Sequence, residues 1–530
     1  MIFPNAGPFD SAEVRFAQDD RLFFDMNFKD PAFRRLIQNS FSVLFFTLLA
    51  FLVMGYHPGF EDDAVYLTAV KADLNPALFP HDSAFFRLQM QASVFDGGMA
   101  RFVRGTHLPL AWAELLWQLV GGGMILWACR RIAALLFQET YAQWAAVAMV
   151  GAMFTLPVAG TALNIADQHL HPRNLATALI LVAVSWILED KGRRWRAIPL
   201  LTVAFLLHPI MAALGVSFCV FLTLAMAQTA PIRVRSFSKS LACVAPLGWV
   251  FAPGSASWRE ALASKTYYSI YRWTWYEWLG ALAPLFLFWL LWRVARKHGG
   301  AAQNPTQARL ARFAFAVLAF GLFQQVFAMI VLAAPSMMRL APLQPMRYLQ
   351  LVYLFMALTA GGLLGRFVLR NSPWRWAVYL LMINGGMFLV QWEEIDDGAH
   401  LELPGMPSGN PWVQAFDWVR VNTPIDAYFA LDPRYLAAAG EGYHNFRALA
   451  ERSQLTDGIK DTSVVTQVPS LAPIWHEQQL AQAGWARFEL ADFERLKREF
   501  GVGWVVVNYP QQAGLDCQWH NDTLAVCRVP

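Results

Sequence analysis

Cysteine is scarce. The chain has five in 530 residues, and none falls in a CxxC pair or at zinc-ligand spacing, which excludes a zinc-ribbon or redox-motif reading. Charge is scarce too, at 15% of residues against 56% hydrophobic, too apolar for an ordinary soluble domain. There is no Walker motif, GxSxG, HExxH or dinucleotide fingerprint. Internal repeats and low-complexity tracts are also missing. A net charge of +4, with basic residues gathered in short loops, reads as topology rather than nucleic-acid binding. The N-terminal stretch carries Arg34 and Arg35 before the first apolar run. That predicts an uncleaved anchor instead of a removable signal.

Long apolar blocks are abundant. Blocks near 20 residues, the length that crosses a bilayer, recur along the chain with 22 Trp and 40 Phe. They predict a polytopic helical membrane protein with about eleven spans, near 36–56, 108–128, 141–160, 174–188, two within 197–228, 240–253, 276–293, 311–334, 348–365 and 376–392. Residues 197–228 carry no Lys, Arg, Asp or Glu and are broken at His208-Pro209. Two short helices meeting at the proline are expected there. The basic loops put the N-terminus inside and the C-terminus outside. Three regions follow: a cytoplasmic lead-in at 1–35, a membrane region at 36–392 with an outer loop at 57–107, and a small extracytoplasmic α/β domain at 393–530. Amphipathic helices on the membrane surface are expected in the loop. In the tail, Cys517 and Cys527 are expected to pair.

The unusual polar groups fall on one side. Glu61, Asp62 and Asp63 stand at the exit of the first span, where three close carboxylates repel and raise at least one pKa. The bland alternative is a solvated acidic loop. Asp167, His169 and His171 alternate, so an extended loop points them one way, a set suited to a divalent metal such as Mn or Zn or to two interfacial histidines in a turn. His208, at a helix break, faces a cavity or caps backbone. Arg339 and Arg347 flank Pro342 and Pro345 and suit either a phosphate or a snorkelling anchor.

The stretch His57-Pro58-Gly59-Phe60-Glu61-Asp62-Asp63, directly after the first span, resembles the first-loop acidic motif of the GT-C superfamily of membrane glycosyltransferases, with Gly59-Phe60 inserted. The resemblance implies an inverting transfer of a sugar from a polyprenyl phosphate to an acceptor on the outer face of a bacterial-type inner membrane. It implies catalytic roles for Asp62, Asp63 and Glu61, with Asp62 favoured as general base. Arg339, Arg347 and His208 would bind the lipid phosphate. Asp167, His169 and His171 would occupy the place of the family's second metal motif, with Mn or Mg ahead of Zn. The partners implied are a polyprenyl-phosphate-linked sugar and membrane lipids, with no nucleic acid. Two rivals are weighed: a secondary transporter or flippase, which would carry mid-membrane charges and repeat symmetry, and a non-catalytic GT-C-like scaffold.

Overall fold

The computed structural model describes residues 31–189, 192, 194–227, 254–298, 304–395, 398–437, 444–510 and 514–530. The described residues up to Phe46 belong to one compact unit, and Thr47–Pro530 form a second. In the first unit the helix exposes Ile37, Phe41, Leu44 and Phe45, apolar side chains suited to lipid.

The helices run α1 (Pro31–Met54), α2 (Tyr66–Leu74), α3 (Ala84–Met90), α4 (Phe95–Thr106), α5 (Leu110–Leu136), α6 (Thr140–Ala152), α7 (Pro172–Glu189), α8 (Ala197–Leu207), α9 (Pro209–Met226), α10 (Ala256–Ser264), α11 (Trp275–His298), α12 (Pro305–Ala333), α13 (Tyr348–Leu364) and α14 (Pro373–Glu394). Among the described residues, seven helical segments are long and apolar enough to cross a membrane: Ile37–Met54, Leu110–Leu136, Pro172–Glu189, Pro209–Met226, Trp275–Lys297, Pro305–Ala333 and Pro345–Leu369. Each matches an expected span. Three other expected spans are helices outside that set. α6 has 13 residues and α8 has 11, roughly 20 Å and 17 Å at 1.5 Å per residue, short of a ~30 Å hydrocarbon core. α14 is long enough, with 22 residues, but is not among the seven. The span expected at 240–253 lies outside the described residues.

The break at His208-Pro209 is present. His208 is extended at φ −151°, ψ 91°, as the residue before proline prefers. Its Nδ1 accepts the Met211 N–H at 3.3 Å, so it caps α9.

The C-terminal region holds α15 (Pro411–Asn422), α16 (Phe446–Ala450), α17 (Lys460–Gln467), α18 (Ala472–Ala481) and α19 (Leu490–Phe500) around a five-stranded sheet. A separate hairpin, β1 (Pro157–Val158) and β2 (Leu163–Asn164), lies in the membrane region. The sheet strands are β3 (Tyr428–Ala430), β4 (Ser453–Gln454), β5 (Trp504–Asn508), β6 (Asp516–His520) and β7 (Leu524–Arg528), in the order β4-β3-β5-β7-β6. β3 pairs parallel with β4 and β5, and β7 pairs antiparallel with β5 and β6. Cys517 opposes Cys527 across β6 and β7 and forms a disulfide with it.

One expectation is overturned. The helices of the 57–107 loop do not lay their apolar faces on a membrane surface. Phe85, Phe86 and Met90 are buried in a cluster with Val464, Val465, Leu471 and Trp475 of the C-terminal region and Trp258 of α10. Amphipathic spacing shows that a face is covered, not what covers it. Here the cover is protein, and it brings residues near 460 onto the acid loop.

Candidate functional site

The acid loop begins at a glycine. Gly59 has φ +82°, and a Cβ there would stand 2.6 Å from Leu449 Cδ2, so both conformation and space require glycine. The turn aims the Gly59 N–H at Asp63 Oδ2, which accepts at 2.8 Å. Glu61 has φ +49°, a region non-glycine residues seldom occupy and one that gathers at functional sites. Residues Glu61–Ala64 then form a single 3₁₀ turn. With about three residues per turn, successive side chains diverge by about 120°, and the two aspartates part. Asp63 is 3% exposed. Burial, then the charge of Glu114, pushes its carboxyl well above the usual range. The Asp62 side chain is 37% exposed and lines a cavity. Desolvation works to raise it, but Lys460, His171 and Arg173 outweigh that and hold it well below the ordinary carboxylate range. Two environments thus separate two adjacent acids. Lys460 Nζ bonds Glu61 and lies 3.3 Å from Asp62 Oδ1.

The loop before α7 supplies the second set. Arg173 grips Asp167 as a fork, its Nε donating to Oδ2 at 3.0 Å and its Nη2 to Oδ1. Burial works to raise Asp167, and the guanidinium overrides it, holding the carboxyl at about 2. His171 Nδ1 accepts the Arg173 backbone N–H at 2.9 Å. Its neutral ring therefore carries the proton on Nε2, which faces Asp62 Oδ2 at 3.3 Å. His169 is 3% exposed and burial lowers it to about 3, so it is neutral at ordinary pH. Neither of its ring nitrogens has a hydrogen-bond partner among the described residues. The His171 and His208 rings lie 5.8 Å apart.

This arrangement does not suit the metal expected at Asp167, His169 and His171. Both oxygens of Asp167 are committed to a resident cation, the Arg173 guanidinium. His171 has spent one nitrogen on backbone and turns the other to Asp62. Among the described residues, no group of three or more His, Cys, Asp or Glu side chains could hold a metal ion. Alternation along a loop predicts a shared direction only when the loop is extended, and this one bends at the Asp167–Arg173 pair.

The cavity has a volume of about 1180 Å³, large for a ligand pocket. Of the residues singled out from sequence, Glu61, Asp62, Asp167, His169, His208 and Arg347 line it. Asp63, His171 and Arg339 are not in its lining, although His171 touches Asp62. Sequence reasoning assigned no role to Arg173, Lys265, Trp273 or Lys460, all of which line it. Lys265 donates to the Ile459 carbonyl, and burial with Lys460 nearby lowers its amine to about 8. Trp273 packs on Gly160, whose missing side chain would meet the indole at 2.3 Å. Arg173 Nη1 and Arg347 Nε are buried without a hydrogen-bond partner among the described residues, and buried guanidinium groups of this kind are suited to an anion. Arg347 also feels the charges of Arg173 and Asp62. The site is thus an ionised carboxylate and under-satisfied arginines around one large cavity, in a polytopic helical membrane protein closed by a mixed-sheet domain.

The chain matches no protein-family model and no curated protein. Among solved structures it is similar to the apo crystal structure of the Archaeoglobus fulgidus oligosaccharyltransferase, with TM-score 0.42 and 11% identity over 88% of this chain and 69% of that one. It is also similar to the archaeal oligosaccharyltransferase AglB from the same organism, in complex with an inhibitory peptide and a dolichol-phosphate, with TM-score 0.40 and 12% identity over the same shares.

Proposed function

We propose that this chain is a membrane glycosyltransferase of GT-C type, taking a sugar from a polyprenyl-phosphate donor to an acceptor hydroxyl in the cavity described above. The observation that carries the reading is the placement of Asp62. It is ionised, open to the cavity, and shares that cavity with Arg173 and Arg347, whose buried N–H groups lack partners.

In the proposed step the acceptor oxygen bonds to the anomeric carbon as the bond from that carbon to the phosphate oxygen breaks. The electron pair leaves with the phosphate, and the acceptor proton passes to Asp62. Asp62 is a weak base in the ground state. The acceptor oxygen becomes strongly acidic as its new bond forms, so a late proton transfer to a weak carboxylate suffices. Approach opposite the leaving phosphate inverts the anomeric centre. Arg347, with His208 beside the same cavity, receives the charge that develops on the phosphate. Of the two loop arginines, the proposal takes Arg347, since Arg339 is outside the lining. Asp63, buried and bonded to the Gly59 N–H, shapes the loop. No step is assigned to a metal. The proposal takes a cytoplasmic N-terminus, an outer C-terminal region and a cavity open to the outer face of a cell-envelope membrane, a reading the distribution of basic loops supports.

The test is transfer from a short-chain polyprenyl-phosphate sugar by purified protein. Asp62→Asn should lower the rate by about 10²–10⁴, the usual cost of a lost general base, with lipid-phosphate binding kept. Full activity in that variant would overturn the reading.

A further inference from the structure

The acid at the centre of the site has a counter-ion delivered by a distant part of the chain. Lys460 stands 398 residues from Asp62, at the first residue of α17. Its side chain is 13% exposed. Three features fix it there. Asp457 accepts the backbone N–H of Ile459 at 2.7 Å and that of Asp461 at 3.3 Å, closing the turn that starts α17. Lys265 holds the Ile459 carbonyl. Asp461 takes the Arg447 fork at 2.7 and 2.9 Å, and Arg447 Nε also bonds Asp82 of the outer loop. A buried ionic chain therefore runs from Asp82 through Arg447 and Asp461 to the turn that carries Lys460.

We infer that Lys460 is a positioning residue of the site, the counter-ion that sets the charge and direction of the Asp62 carboxylate, so that the acid works only when α17 is seated on the loop. The inference rests on the reading of Asp62 given above. Geometry supports a division of labour between the two oxygens: Oδ1 faces Lys460 and Oδ2 faces His171, each at 3.3 Å. Asp62 is also within the field of Arg173, Arg347, Lys265, His169, Tyr66 and its neighbour Asp63. Lys460 is the largest of the influences that favour its ionised form. Glu61 shares the ammonium, which leaves Lys460 anchored even when Asp62 turns to a substrate proton.

The experiment reads the charge of Asp62 without relying on activity. A water-soluble carbodiimide modifies protonated carboxyls, and mass spectrometry assigns the adduct within the peptide containing residues 61–63. Full-length protein is labelled across a range of pH, with Asp82, 4% exposed, as an internal marker of unfolding. In Lys460→Gln the pH of half-labelling at Asp62 should rise by about one unit or more, the effect of removing an opposite charge at this range. Lys460→Arg should label like the wild type. The midpoint of the low-pH limb of the transfer rate should move to higher pH in parallel in Lys460→Gln and return in Lys460→Arg. Unchanged labelling of Asp62 in Lys460→Gln with Asp82 protected overturns the inference. If Lys460→Gln exposes Asp82, Lys460→Arg decides: wild-type labelling supports the inference, and a raised midpoint with Asp82 protected overturns it. A shift in labelling together with an active Asp62→Asn would keep the counter-ion and discard the catalytic reading.

Discussion

Asp62 and Asp63 are adjacent in sequence and opposite in circumstance. The sequence singles out this acid cluster as the candidate site, because three carboxylates at a span exit are costly without a use. It cannot choose between the acids, since the choice depends on a 3₁₀ turn set by the left-handed Gly59 and Glu61. Asp63→Asn should lower transfer less than Asp62→Asn, since an amide at 63 keeps the carbonyl that accepts from Gly59. Steady-state rates of the two variants check the order, and equal losses would contradict the division. Stability should also follow pH in a predictable direction. Asp167 and Glu402 are both held at about 2. Their folded values lie below the unfolded ones, so the stability they contribute is present above about pH 4 and lost as pH falls toward 2. His169, lowered from 6.5 to about 3, acts in the same direction: the unfolded chain takes up its proton first as pH falls through 6.5. The depressed carboxylates are worth about 2 kcal/mol for Asp167 and about 3 kcal/mol for Glu402. Asp167→Asn should melt lower than the wild type at pH 7, where Arg173 loses its partner, and the gap between the two should close as pH falls toward 2. Asp63, raised by burial, favours the folded state as pH falls, but equally in both proteins.

At the scale of elements, the long apolar helices were legible because about 20 residues of hydrocarbon match a bilayer whatever packs beside them. The helix pair at His208-Pro209 was legible because proline acts locally. The covering of α3 by α17 was not, since it joins segments nearly 400 residues apart through ordinary apolar side chains. Lys460 escaped for the same reason: one lysine in a polar tail carries no spacing signal. Arg447 is the sharpest test of that contact. It is 1% exposed and is paired with Asp82 and Asp461. Removing one partner of a buried ionic set costs about 3–5 kcal/mol. Arg447→Met should therefore lower the melting temperature strongly and increase proteolysis in residues 57–107 and 444–482. Wild-type melting would show that the loop is held by its apolar contacts alone.

For the whole molecule, orientation decides which compartment supplies the substrate. The basic stretch at 191–196 predicts an inner face, and the C-terminal region an outer one. A cysteine replacing Glu477 should react with a membrane-impermeant maleimide on intact cells, and one replacing Arg196 only after permeabilisation. The reverse pattern would move the cavity to the other side of the membrane. The central claim, an acid that acts on the acceptor beside arginines that hold the donor phosphate, is tested most directly by separating binding from transfer. Affinity for a short-chain polyprenyl phosphate and the rate of sugar transfer are measured on the wild type, Asp62→Asn and Arg347→Met. The account predicts unchanged affinity with transfer nearly abolished for Asp62→Asn, and affinity weakened roughly tenfold to a hundredfold for Arg347→Met, the worth of one charged hydrogen bond. Undiminished transfer by Asp62→Asn, or wild-type affinity in Arg347→Met, would contradict it.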